Sequence, residues 1–249
     1  MFAAYAPGGE RLLTWSHDGV ARLWDAGSGE QIGSDMRQDG QLLAAAFTGG
    51  GAHIVTATYD GRLALWDAAT GAPAGGEVAI GSSAIEATVS PDGARILVQI
   101  HNDAYDSSRT TGLRLFDGRT LAPLGEPLPH RPEPFTMAFS PDGARILAIV
   151  RDPATGRLAV LLADAATGAD IALLTLPGMA ARAIFSSDGT RVIAVDGDGR
   201  LGIWDTDGTP IAAGLVAGVP VDQYLGDVVV ALDTSPDGKR VMAAGSDGY

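Results

Sequence analysis

The chain has 249 residues, 46% of them hydrophobic, and a formal charge of −13. That is enough apolar material for a real core. The excess of carboxylates argues against nucleic acid or an anionic membrane as the main partner, because both require clustered Lys and Arg, and the 17 basic residues here are scattered singly.

No apolar run approaches the roughly 18 residues of a membrane helix. The opening MFAAYAPGGERLL lacks the basic and apolar stretches of a secretory signal. A soluble, cytoplasmic protein is the expectation. With no cysteine there is no disulfide framework, thiolate nucleophile or cysteine metal site.

In chain order, a short strand FAAY runs into the turn YAPGG, residues 5–9, and is followed by RLLTWS, a DG turn, the alternating VARLWD, and a further turn DAGSG. The same order then recurs. The first turn returns as FTGGG, VSPDG, FSPDG, FSSDG and TSPDG, ending at Gly51, Gly93, Gly143, Gly189 and Gly238, at spacings of 42 to 50 residues from Gly9 onward. The second marker returns as Trp24-Asp25, Trp66-Asp67, Phe116-Asp117, Ala163-Asp164 and Trp204-Asp205. In SPDG, Ser90 suits position i of a type I turn, Pro91 supplies the preset φ at i+1, and Gly93 fits i+3. Turns at short intervals without a helix-length amphipathic pattern predict four antiparallel strands per unit.

One such sheet cannot bury both of its faces, and stacking successive sheets around an axis solves that problem. The predicted fold is therefore all-β, a β-propeller of five complete blades plus a half blade, over residues 2–41, 42–83, 84–134, 135–179, 180–226 and 227–249. On the joint spacing of SPDG, DG and WD, the chain resembles the WD40-repeat family of bacterial type over nearly its whole length. Asp18, Asp60, Asp198 and Asp247 match that family's turn Asp, and His130 its blade His. The other blades lack that His, so the tie of His, Ser or Thr, Asp and Trp is expected to be mostly absent. Blade four, with Ala163 in the Trp position, also resembles TolB-type repeats. The half blade and the missing outer strand at the start predict a fragment of a longer array. Further blades, or another copy, would close the ring.

The length variation gathers in the second-to-third-strand and blade-to-blade connections: HNDAYDSSRTTG in blade three, RDPATG in blade four and VPVDQYLGDVVV before the last inner strand. Loops on a rigid scaffold commonly carry binding, and the resemblance implies a protein partner on this face. Tyr59, Tyr105, Arg109, His130, Arg131 and Tyr224 are the predicted anchors, since Tyr and Arg are enriched at interface hot spots. His17, Tyr59 and Trp15 also read as packing or turn residues.

For chemistry, Glu86, Arg182 and Asp233 are the charged residues of the predicted inner strands, and the four histidines share no metal spacing. DGDG and DTDG lack the remaining ligands of a calcium loop. No catalytic residue, metal or cofactor is expected. The reading is a non-catalytic scaffold, the sensor or recruitment part of a larger bacterial signalling protein. The alternatives are a metal-dependent or hydrolytic propeller enzyme with its site in the channel, and a TolB-like periplasmic propeller.

Overall fold

The structure is a computed structural model that describes residues 1–80, 84–101, 111–128, 132–216 and 229–245. Five four-stranded antiparallel sheets follow one another, each with its strands in chain order. The first holds β1 (Phe2–Tyr5), β2 (Arg11–Ser16), β3 (Val20–Asp25) and β4 (Gln31–Arg37). The second holds β5 (Leu42–Thr48), β6 (His53–Thr58), β7 (Arg62–Asp67) and β8 (Val78–Ala79). The third holds β9 (Ala84–Val89), β10 (Arg95–His101), β11 (Thr111–Asp117) and β12 (Pro123–Leu128). The fourth holds β13 (Pro132–Phe139), β14 (Arg145–Arg151), β15 (Leu158–Asp164) and β16 (Asp170–Leu174). The fifth holds β17 (Ala180–Phe185), β18 (Arg191–Asp196), β19 (Arg200–Asp205) and β20 (Pro210–Val216), and a two-stranded sheet of β21 (Val229–Thr234) and β22 (Val241–Gly245) follows. These are the expected all-β blades, five complete and one half. Blade four starts at Pro132, slightly earlier than the predicted 135, because Pro132 already bridges Val150 before the register shifts. The chain divides into two compact units, Met1–Pro129 with blades one to three and His130–Tyr249 with the rest.

The repeated turn explains why each blade begins alike. In blade three the Gly93 amide donates to the Ser90 carbonyl at 2.7 Å, which closes the i-to-i+3 bond expected of SPDG. The Ser90 hydroxyl donates to Asp92 Oδ1 at 2.6 Å and accepts from the Arg95 amide at 2.9 Å, while Asp92 accepts from the Ala94 amide at 2.9 Å. The same bonds recur around Ser140, Ser186 and Ser235. Each serine thus locks both ends of its hairpin loop, and the closing glycine takes the left-handed conformation (Gly93 at φ 67°) that side chains avoid.

These bonds carry a pH signature. The Ser186 hydroxyl, with the Thr190 amide and hydroxyl, holds the Asp188 carboxyl down to about 2. Asp92, Asp142 and Asp237 are also lowered, with their turn serine as the first cause. Because the folded carboxyls sit below their unfolded value, the unfolded chain binds more protons in that interval. The stability they confer is complete above about pH 4 and is lost as pH falls toward 2. Urea midpoints are expected to be level from pH 7 to 5 and to fall below pH 4, with a shallower acid fall in Ser186→Ala. A midpoint unchanged down to about pH 2.5 would contradict this assignment.

The turn after the third strand also repeats. Asp67 Oδ1 accepts from the Ala69 and Thr70 amides and the Thr70 hydroxyl at 3.0, 2.9 and 2.7 Å. Asp117 and Asp164 do the same. The left-handed residue of this turn is Gly29, Gly71 or Gly168, but in blade three it is Leu121 at φ 58°. That conformation costs a residue with a Cβ about 1–2 kcal/mol. Leu121 is nonetheless 2% exposed, packed with Phe116, Ile80 and Val98. Deleting a buried Leu side chain costs about 2–5 kcal/mol, so packing outweighs strain. Leu121→Gly is expected to destabilise by about 1–3 kcal/mol in denaturant melts, although it restores the residue found in the sister turns.

Strand alternation places the core between blades. In β6, Ile54 joins Leu13, Leu23, Met36, Leu42 and Trp66 in the seam between blades one and two. Its neighbour Val55 joins Leu63, Leu65, Ile96 and Phe116 on the other side. Adjacent strand residues point to opposite faces, so a blade covered on both faces has a continuous apolar central strand. In the second unit Leu147, Val160, Leu162, Phe185, Val192 and Trp204 form the corresponding seam between blades four and five.

Candidate partner-binding face

Four antiparallel strands in chain order place the second-to-third-strand turns and the blade-to-blade connections at one end of each sheet. In the first unit that end carries a cluster of four rings. Phe2 stacks on Trp15, with centroids 5.6 Å apart and planes at 22°. Phe2 also meets His17 edge-on at 5.6 Å, and His17 lies 5.9 Å from Tyr59. Register dictates the first contact, since Phe2 is paired with Trp15 across β1 and β2. Phe2 is 45% exposed and Tyr59 42%. The Trp15 indole N–H, screened from solvent, makes no hydrogen bond among the described residues.

The connection from β4 to β5 holds the two sides of this cluster together. The Gln38 amide donates to the Gly19 carbonyl at 3.0 Å and the Tyr59 amide to the Gln41 carbonyl at 3.0 Å. His17 Nδ1 lies 2.9 Å from the Leu42 carbonyl oxygen. Gly40 has a φ of 107°, a conformation that residues with a Cβ rarely adopt, where the loop passes the blade-two turn at Asp60. His17 and Tyr59, read from sequence as separate packing or turn residues, are thereby brought into one patch.

A polar chain runs inward from the same loop. Trp66 Nε1 donates to Thr56 Oγ1 at 2.9 Å, Thr56 donates to Gln38 Oε1 at 2.7 Å, and Gln38 Nε2 donates to Glu77 Oε1 at 2.7 Å. Arg62 then bridges Glu77 at 3.3 Å and Asp60 at 3.0 Å. In blade one Trp24 Nε1 donates to Thr14 Oγ1 at 2.8 Å. In these two blades the Thr–Trp part of the expected tie is formed without its His, and in blade two Gln38 continues the chain in its place. The signal was present in the sequence as Thr ten residues before Trp, against Ala194 before Trp204.

Beside Gln38 the outer strand of blade two is reduced to Val78–Ala79, with one isolated bridge from Trp66 to Pro73. The Ala74 amide still donates to the Leu65 carbonyl at 2.9 Å, and where the pairing lapses before Val78 lies a groove of about 280 Å³ lined by Arg37, Gln38, Asp39, Trp66, Pro73 and Glu77, among others.

Of the predicted anchors, Tyr59 is placed in this patch. Tyr105, Arg109, His130, Arg131 and Tyr224 lie outside the described residues, as does Asp247. The blade-four insertion is described: Asp152 accepts from the Ala154 amide and the Thr155 hydroxyl at 2.9 and 2.5 Å, building after the second strand the Asp-centred turn used elsewhere after the third. Glu86 lies on β9 in the first unit, and Arg182 and Asp233 on β17 and β21 in the second. Among the described residues no three His, Cys, Asp or Glu are grouped to hold a metal ion, and no helix is long and apolar enough to cross a membrane. No protein-family model matches the chain, and comparison with curated proteins finds no match.

Proposed function

We propose that the chain is a non-catalytic repeat scaffold of the WD40 type, working in the cytoplasm as the sensor or recruitment part of a larger bacterial signalling protein, and that it receives a protein partner on the face bearing Tyr59. The observation that carries this reading is the cluster of Phe2, Trp15, His17 and Tyr59 on the loop end of blades one and two, in which Phe2, His17 and Tyr59 are exposed over the half-buried Trp15. Rigid aromatic side chains give large contact area at low entropic cost, and exposed apolar patches rimmed by polar groups commonly mark interaction sites. Here the rim is Asp18, Asp39 and Asp60, all exposed.

The reading is tested with a photo-crosslinking side chain at Tyr59 in the native cell, and in parallel at Ala69, an exposed residue of the opposite-end turn of the same blade. The expected result is a discrete protein adduct at position 59 that Phe2→Ser diminishes. Absence of an adduct there, or the same adduct at position 69, would overturn it.

A further inference from the structure

We infer that the blade-two groove takes a cationic side chain, an arginine or lysine, from a basic segment of the partner protein. The inference rests on the partner-face reading and adds the chemistry of what is recognised.

The groove lies where the fourth strand of blade two is interrupted. Val78 and Ala79 pair with Leu63 and Arg62, and Pro73 and Ala74 return to Trp66 and Leu65 through a bridge and a 2.9 Å bond from the Ala74 amide to the Leu65 carbonyl, so the gap is confined to Gly75, Gly76 and Glu77. The opening of about 280 Å³ admits one long side chain and falls below the roughly 300–1,000 Å³ typical of small-molecule sites. Pro73 and the exposed edge of Trp66 form a small apolar wall against which an aliphatic stem can rest, Leu65 being turned to the opposite face, and the rim carries Asp39 and Glu77. That division suits the two ends of Arg or Lys.

Charge decides the sign of the ligand. Arg62 faces two carboxylates, Asp60 and Glu77. Arg37 lines the groove with its guanidinium 2.7 Å from Asp35, a carboxylate that Arg22 also holds at 2.9 Å. Asp39 is exposed and has no basic partner among the described residues. Taken with Arg22, Asp35, Asp60 and Arg62, the groove is left with one net negative charge, that of Asp39, in a chain whose formal charge is −13. Such a surface steers cations toward it.

Position argues for a segment of chain over a free small cation. Residues 38 and 39 line the groove, while Gln41 and Leu42 of the same connection contact Tyr59 and His17. An extended peptide with its basic side chain in the groove therefore has the exposed rings within reach on the other side of one short loop.

The test is fluorescence anisotropy on the full chain, with a fluorescein-labelled pentapeptide of alternating Gly and Arg and a matched peptide of Gly and Glu. Two variants probe the groove. Asp39→Asn removes a carboxylate on which no described contact depends. Gly75→Phe fills the opening, and a Cβ there meets nothing within 4 Å, so the fold is kept. Glu126→Gln, an exposed carboxylate on β12, controls for net charge. The expected result is saturable binding of the arginine peptide alone, weakened about fivefold by Asp39→Asn and about tenfold or more by Gly75→Phe, unchanged by Glu126→Gln. No arginine-peptide binding, binding indifferent to Gly75→Phe, or equal loss in Glu126→Gln would overturn the inference. If a Tyr59 adduct persists in that case, the groove falls and the partner face stands.

Discussion

Replacing Trp66 by alanine is expected to lower the unfolding free energy by about 3–5 kcal/mol, read from urea midpoints at constant slope. The indole is 8% exposed and sits in the seam with Leu13, Leu23, Met36, Leu42 and Ile54, so its removal leaves a cavity that two blades must share. It also strips the fully buried Thr56 hydroxyl of the N–H it accepts. Trp66→Phe separates the two effects. It keeps most of the apolar contact and loses the hydrogen bond, worth about 1 kcal/mol. Trp24 makes the same bond to Thr14 but is only partly buried, and its loss is expected to cost less. A near-neutral Trp66→Ala would mean that this ring does not hold blades one and two together.

Gly118→Ala is expected to destabilise by about 1–3 kcal/mol, the range for overpacking, even though alanine is the residue at the matching place in blades one, two and four (Ala26, Ala68 and Ala165). Conformation is not the obstacle, since Gly118 does not need the left-handed region. Space is. A Cβ there would fall well inside contact distance of the Gly93 carbonyl oxygen and the Thr48 hydroxyl. Thr48 is fully buried, with its Oγ1 2.6 Å from both the Gly93 and the Gly118 carbonyl oxygens, so it ties blade two to two turns of blade three. The clash cannot relax outward without breaking that tie. Combining Gly118→Ala with Thr48→Ala is expected to be non-additive, because the second change removes one of the atoms the new methyl meets. Strict additivity in a double-mutant cycle would count against this account.

Both results turn on a division that runs through the whole molecule. The hairpins were legible from residues alone, because each SPDG or DAATG turn closes on bonds that span at most five residues, such as Gly93 to Ser90 and Arg95 to Ser90. Local chemistry of that range is written in the order of the residues. The alternation in VARLWD and RLALWD likewise settles which side chains leave the sheet on which face, and the recurrence of the pattern gives the number of blades.

What the residues alone did not reveal was everything that depends on one blade meeting the next. Gln38 joins Thr56 and Trp66 only because the β4–β5 connection packs against the second blade, and nothing in RQDG marks it as a continuation of a Thr–Trp bond. Phe2, Trp15, His17 and Tyr59 become one patch for the same reason. A repeat pattern predicts Ala where Gly118 stands, and the Gly93 carbonyl together with the Thr48 hydroxyl from the neighbouring sheet leaves no room for it. The sequence by itself determined the strands, their turns and the blade count, because those follow from bonds between near neighbours. The seams, the ring cluster and the groove were decided by tertiary packing, because they join side chains on different sheets whose separation along the chain carries no signal of their contact.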